Sequence, residues 1–258
     1  MVINNFFKKY VINSEDLLKK ISSKKIKIID ARWFLNDPLK GKNEFIKSHL
    51  QGAIFFDLEA LSDKSSDLPH MFPKKSQFTE FIRNNGINID DEIIVYDQIG
   101  LFSSARVWFT FKIFGFKKIK ILNGGIEKWS NLDFPLTKNI NKIKKSVFKI
   151  DAYQANLIIS KEELEEYMYN KNNIIIIDTR PNQRFLGFQN EPRPSLKKGN
   201  IPSSINIPFN SISNINNLII SFDELRELFL KNKIDKESQI ICYCGSGVTA
   251  CNIIFALN

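Results

Sequence analysis

Three cysteines, Cys242, Cys244 and Cys251, crowd the segment Ile240–Asn258, IICYCGSGVTACNIIFALN. A β-branched run ends at Cys244, the loop GSGVT follows, and an apolar helical stretch begins. That order places Cys244 at the carboxyl end of a buried strand, where open α/β sheets bind ligands. Gly245 and Gly247 free the backbone to turn its N–H groups inward as an anion cradle. The helix start adds the positive end of its dipole. Both effects favour thiolate over thiol, so Cys244 is the expected nucleophile. Gly245, Gly247, Val248 and Thr249 are the expected anion-binding lining. A phosphatase loop, Cys-x5-Arg, does not fit, because Ala250 stands where the phosphate-clamping arginine would be. A zinc site does not fit either, since the cluster lacks a second cysteine pair and neither histidine is near in sequence. No metal and no organic cofactor is expected.

The elements that must position this loop occur twice. Ile26–Trp33, IKIIDARW, matches Ile174–Pro181, IIIIDTRP, and HLQGAIFFD at His49–Asp57 matches NIPSSINIP at Asn200–Pro208. Ile93–Asp97, IIVYD, matches Ile240–Cys244, IICYC, so that Asp97 is the counterpart of Cys244. Helical segments separate the strands. Ser14, Ser76, Ser160 and Ser221 read as their openings, with Glu163 and Glu224 completing capping boxes and Gly86 stopping the second helix. Strand–helix alternation in each half predicts an α/β fold of two tandem domains, each a mostly parallel sheet flanked by helices. The expected division is residues 1–135 for a first, non-catalytic domain, 136–146 for a polar linker, LTKNINKIKK and its neighbours, and 147–258 for a catalytic domain. The first half continues past its active-loop equivalent as GFKKIKILNGGIEKWSNLDFP, Gly115–Pro135, whereas the second half ends at Asn258. The second domain is therefore expected to lack its last strand and helix, and the chain to be shortened at its C-terminus.

Composition narrows the setting. The 258 residues carry a hydrophobic fraction of 43%, enough for two cores. No apolar run is long enough to span a bilayer, and the N-terminus lacks a secretory h-region and cleavage site. The formal net charge of +9 is spread along the chain without interleaved aromatics, so no nucleic-acid or membrane surface is expected. Cysteines confined to one segment suggest a reducing, cytoplasmic compartment.

The string CGSGVT resembles the active loop of the tandem-domain rhodanese family, in its 3-mercaptopyruvate-using branch. The thiosulfate-using branch carries basic residues where this chain has the uncharged Gly245 and Ser246. The resemblance covers nearly the whole chain. It implies a sulfurtransferase that moves sulfur from 3-mercaptopyruvate to a thiol, cyanide or a thioredoxin-like acceptor through a persulfide on Cys244. Within RFLGFQNEPRP, Arg184 and Arg193 fall on the family's substrate arginines, whose planar guanidinium groups suit a carboxylate. Within LEALSDKSSDLPHMFP, Asp63 and His70 are implied to reach across to Ser246 as an Asp–His–Ser proton relay. His49 reads as structural, and Asn200 stands where the family usually has His. Two alternatives remain open: a thiosulfate sulfurtransferase of the same fold, and a non-catalytic truncated remnant.

Overall fold

The computed structural model describes residues 5–140, 142–170, 174–193 and 196–258. The first half runs α1 (Asn5–Tyr10), β1 (Val11–Ile12), α2 (Ser14–Leu18), β2 (Ile26–Asp30), α3 (Lys40–Lys47), β3 (Ala53–Phe55), α4 (Leu58–Leu61), α5 (Lys75–Asn84), β4 (Glu92–Tyr96), α6 (Ser104–Ile113), β5 (Ile119–Leu122) and α7 (Gly125–Asn131). The second runs α8 (Lys161–Tyr169), β6 (Ile174–Asp178), α9 (Asn182–Phe185), β7 (Ile205–Asn206), α10 (Phe222–Lys231), β8 (Gln239–Tyr243) and α11 (Ala250–Leu257). The first sheet has the order β1-β5-β4-β2-β3 and the second β7-β6-β8, and every strand pair is parallel. Near-continuous Ile and Val runs are what strands covered on both faces require.

The Asp-x-Arg repeat ties down the ends of β2 and β6. Asp30 takes a bidentate bond from Arg32 and a hydrogen bond from Tyr96 Oη at 2.5 Å; Asp178 holds Arg180 in the same way, beside Tyr243. Burial works against charge on both arginines, but the carboxylates outweigh it and hold both in the charged form. Each guanidinium also donates to a carbonyl of the next crossover, Arg32 to Ser48 at 2.8 Å and Arg180 to Gly199 at 2.6 Å. The motif thus fixes where the chain returns to the sheet.

Ser160 and Ser221 cap α8 and α10 with Glu163 and Glu224, as the sequence predicts. Ser14 lies one step and Ser76 two steps inside instead, with Asn13 and Lys74 as the flanking residues; Gln77 Oε1 accepts the Lys74 N–H at 2.8 Å. Gly86 ends α5 with a φ of 60°. His49 is buried and structural, its Nδ1 2.7 Å from the Phe45 carbonyl, and Asn200 makes the matching tie to Phe185 at 3.0 Å. The chain after α7 stays on the first half: Thr137 pairs with His49, Ser146 N–H donates to Arg83 O, and Gln154 N–H donates to Ile113 O. These ties run beyond residue 146, where the sequence suggests that the linker ends.

Among the described residues β8 has no strand on its outer side, whereas β4, its counterpart, is flanked by β5. Most of β4 is accordingly buried, while all of β8 is partly or fully exposed, and α8 buries none of its side chains. The two halves share one hydrophobic core in which α6 packs on α11. Trp108 meets Phe255 edge-on at 5.1 Å, and Tyr10 and Phe6 close around the same ring. These helices follow the Asp97 and Cys244 loops, so their packing brings the two loops to the domain interface.

Candidate active site

Cys244 follows the last residue of β8, and Thr249 precedes α11. Gly247 N–H points back at Cys244 Sγ at 3.1 Å. The first half shows what this loop shape holds when a carboxylate stands in place of the cysteine. The Asp97 carboxylate accepts the backbone N–H groups of Ile99, Gly100, Phe102, Ser103 and Ser104, at 2.5 to 3.0 Å. Five converging donors make an anion cradle, and Cys244 occupies the equivalent place in the second. Gly247 has a φ of 72°, and a Cβ there would sit 2.9 Å from Arg106 Nη1, so only glycine fits. Val248 is buried.

The other two cysteines are poor nucleophiles. Burial pushes the Cys251 thiol up to about 12, with the Arg106 cation opposing; its Sγ donates to the Gly247 carbonyl at 3.2 Å. Burial likewise raises the Cys242 thiol. None of the three forms a disulfide.

Arg184, on α9, and Arg193 flank the loop. Arg193 Nη1 donates to the Gly245 carbonyl at 3.1 Å. A Cβ on Gly245 would lie 3.1 Å from Arg184 Nη2, which explains how the guanidinium comes so near. Arg184 is held by Glu191, whose carboxylate also takes Arg180 Nη1 at 2.8 Å. Burial opposes the Glu191 charge, but the two arginines outweigh it and hold the carboxyl below its usual range. In sequence Glu191 lies between Arg184 and Arg193, in RFLGFQNEPR.

The relay residues are arranged differently from the expectation. His70 is buried against Trp33, and its Nε2 meets Glu59 Oε1 at 2.9 Å. The same oxygen accepts Trp33 Nε1 at 2.7 Å. Asp63 does not reach His70. It accepts Ser65 N–H and Oγ–H at 2.9 and 2.8 Å and faces Lys74 at 3.5 Å. The reason is local: the Asp63-Lys-Ser turn satisfies its carboxylate, while Glu59 on α4 meets both Trp33 and His70. Burial lowers the His70 pKa, Glu59 pulls it back, and Arg193 and Arg106 push it down again, leaving a net decrease. Burial resists ionisation of Glu59, but Trp33 and His70 more than compensate. Glu59 thus accepts Nε2–H of a neutral ring, and Nδ1 is left buried without a partner among the described residues. No hydrogen bond joins His70 to Ser246 among them, although Arg106 donates to both the His70 and the Gly247 carbonyls and so ties the residue to the second-half loop.

The sequence reading also missed Arg106. It is the one arginine inside the apolar helix SARVWFTFKI, which was a signal in itself.

A model of the rhodanese-like domain matches residues 13–132 and again 160–257. The chain belongs to the rhodanese family. It is 35% identical over 250 residues to the 3-mercaptopyruvate sulfurtransferase of Escherichia coli K12, spanning 96% of this chain and 88% of that one. It is 32% identical to the thiosulfate sulfurtransferase of Rattus norvegicus, over 95% and 84% of the two chains. The crystal structure of SseA from Escherichia coli, a 3-mercaptopyruvate sulfotransferase, superposes with a TM-score of 0.85 at 32% identity, covering 96% and 93%. The sulfur transferase subunit of yeast mitochondrial complex I gives 0.87 at 34%, covering 96% and 89%. The rhodanese fold is thus present in tandem.

Proposed function

We propose that this rhodanese is a sulfurtransferase that takes sulfur from 3-mercaptopyruvate and carries it as a persulfide on Cys244. The observation that supports this most is the cradle: a cysteine stands where the first domain places a carboxylate bound by five amides. In the first half-reaction the Cys244 thiolate attacks the substrate sulfur. The S–S bond forms as the C–S bond breaks, and its electrons leave as the enolate of pyruvate, which takes a proton at carbon. In the second, a thiol, cyanide or thioredoxin-like acceptor attacks the outer sulfur and the thiolate returns. The loop amides stabilise the sulfur anion before and after each step.

Arg193 and Arg184 would hold the substrate carboxylate, and the neutral His70, oriented by Glu59, would move the proton through Ser246. Gly245 and Ser246 add no cation to the loop, which favours a singly charged carboxylate donor over thiosulfate. The free cysteines fit a reducing, cytoplasmic setting. No helix among the described residues is long and apolar enough to cross a membrane. The division into a supporting domain, residues 1–135, and a catalytic one, 147–258, belongs to the same reading. Steady-state rates of the purified protein with both donors test it. A higher kcat/KM for 3-mercaptopyruvate supports the assignment, and a higher value for thiosulfate moves the protein to the other branch.

A further inference from the structure

The buried arginines of the two domains are matched with carboxylates, with one exception. Arg32 holds Asp30, and Arg180 holds Asp178 and Glu191. Arg106, on α6 of the first domain, is only 4% exposed and has no carboxylate partner among the described residues. Its guanidinium stacks on Phe72 at 3.3 Å. Nη2 donates to the His70 carbonyl at 2.5 Å, and Nη1 crosses the interface to the Gly247 carbonyl at 3.1 Å. A buried cation normally has an anion, because an isolated charge in the interior is costly. The Gly247 peptide that Arg106 grips lies between two thiols of the second half: its N–H points at Cys244 Sγ at 3.1 Å, and its carbonyl also accepts Cys251 Sγ at 3.2 Å. Cys251 is too weak an acid to serve. The other charged groups nearby are engaged elsewhere: Glu59 with His70 and Trp33, Glu191 with Arg184 and Arg180. Arg193, which donates to the Gly245 carbonyl, is a further cation at the loop.

We propose that Arg106 is the counter-cation of the Cys244 sulfur anion, and that through the Gly247 carbonyl it positions the active loop from the opposite domain. The inference rests on Cys244 being the sulfur carrier. It gives the first domain, which has Asp97 instead of a nucleophile, a direct part in the reaction. The contact has a mirror image: Asn252 on α11 donates to the Leu101 carbonyl in the Asp97 loop at 2.8 Å. Each active-loop equivalent is therefore held by the helix of the other half. Only the cross-link to the Cys244 loop brings a charge.

The test is the pH profile of Cys244 alkylation by iodoacetamide on the full chain, with the modified residue identified by peptide mass. It needs no turnover, so it stands apart from any failure of sulfur transfer. Arg106→Met should move the midpoint of the profile upward by about one unit or more, the scale of a close opposite charge, and slow alkylation at pH 7 about tenfold. Arg106→Lys should stay within a few-fold of the wild-type rate. Arg106→Gln removes the charge and keeps a single amide donor. It should behave as the Met variant does, and it carries the comparison if the Met variant does not fold. A folded neutral variant with the wild-type profile overturns the proposal. So does a Lys variant shifted as far as the neutral ones, since the charge would then not be the agent.

Discussion

Replacing Glu59 separates the two carboxylates that could serve His70. Glu59 Oε1 accepts from both Trp33 Nε1 at 2.7 Å and His70 Nε2 at 2.9 Å. Glu59→Gln can keep an oxygen in that place, so both hydrogen bonds persist and only the charge is lost. Charge-assisted bonds are worth about 1.5–3 kcal/mol and neutral ones about 0.5–1.5 kcal/mol. The Glu59 side chain is 30% exposed, which screens its charge, so the stability cost should be only about 1 kcal/mol. Glu59→Ala instead strands two buried donors at about 1–3 kcal/mol each, or about 2–6 kcal/mol together. The catalytic effect should follow the charge. Without it a protonated His70 loses its counter-ion, and acid–base help of this type is worth about 10²–10⁴ in rate. Glu59→Gln should lose part of that, about tenfold to a hundredfold in kcat/KM, while Asp63→Asn changes little. Thermal melts and steady-state kinetics on the three variants measure both quantities. The reasoning is refuted if Asp63→Asn costs more activity than Glu59→Gln.

Cys244→Ser should abolish sulfur transfer, while Cys242→Ser and Cys251→Ser keep much of it, because burial leaves both thiols protonated; single-variant assays check this. Arg193→Ala should cost on the order of 2–3 kcal/mol of transition-state binding, seen mainly in KM for 3-mercaptopyruvate, with the Cys244 alkylation rate kept within a few-fold. His70 has a folded pKa below its ordinary value of about 6.5, so protons favour the unfolded chain. The stability this ring contributes is present above that pH and is lost as pH falls below it, by at most about 1.4 kcal/mol per unit. His70→Asn, which tolerates the φ of 56° at this position, should flatten urea-derived stability between about pH 6.5 and 5; an unchanged slope would show that His70 is not the group responsible.

The repeat made most of the fold readable. Asp30-x-Arg32 and Asp178-x-Arg180 mark the ends of matching strands because each needs its partner to be buried, and the sequence spells both. The Cys244 loop was legible for a similar reason, since strand end, glycine turn and helix start are contiguous. What is long-range was not legible. Glu59 and Asp63 are four residues apart on the same short segment, and only the fold shows which one meets His70. Arg106 reads as a stray charge in an apolar helix until α11 is packed against it. Glu191 lies between Arg184 and Arg193 in sequence, but its hold on Arg180 joins the Asp-x-Arg corner to the candidate site in space alone.

The most direct test of the central claim is to mix the reduced protein with a single equivalent of 3-mercaptopyruvate, without acceptor, and weigh the peptide that contains Cys244. The account predicts a gain of one sulfur atom on Cys244, one pyruvate released per sulfur bound, and loss of that sulfur on adding cyanide. Pyruvate release with Cys244 left as a free thiol, or the sulfur found on Cys242 or Cys251, would contradict it.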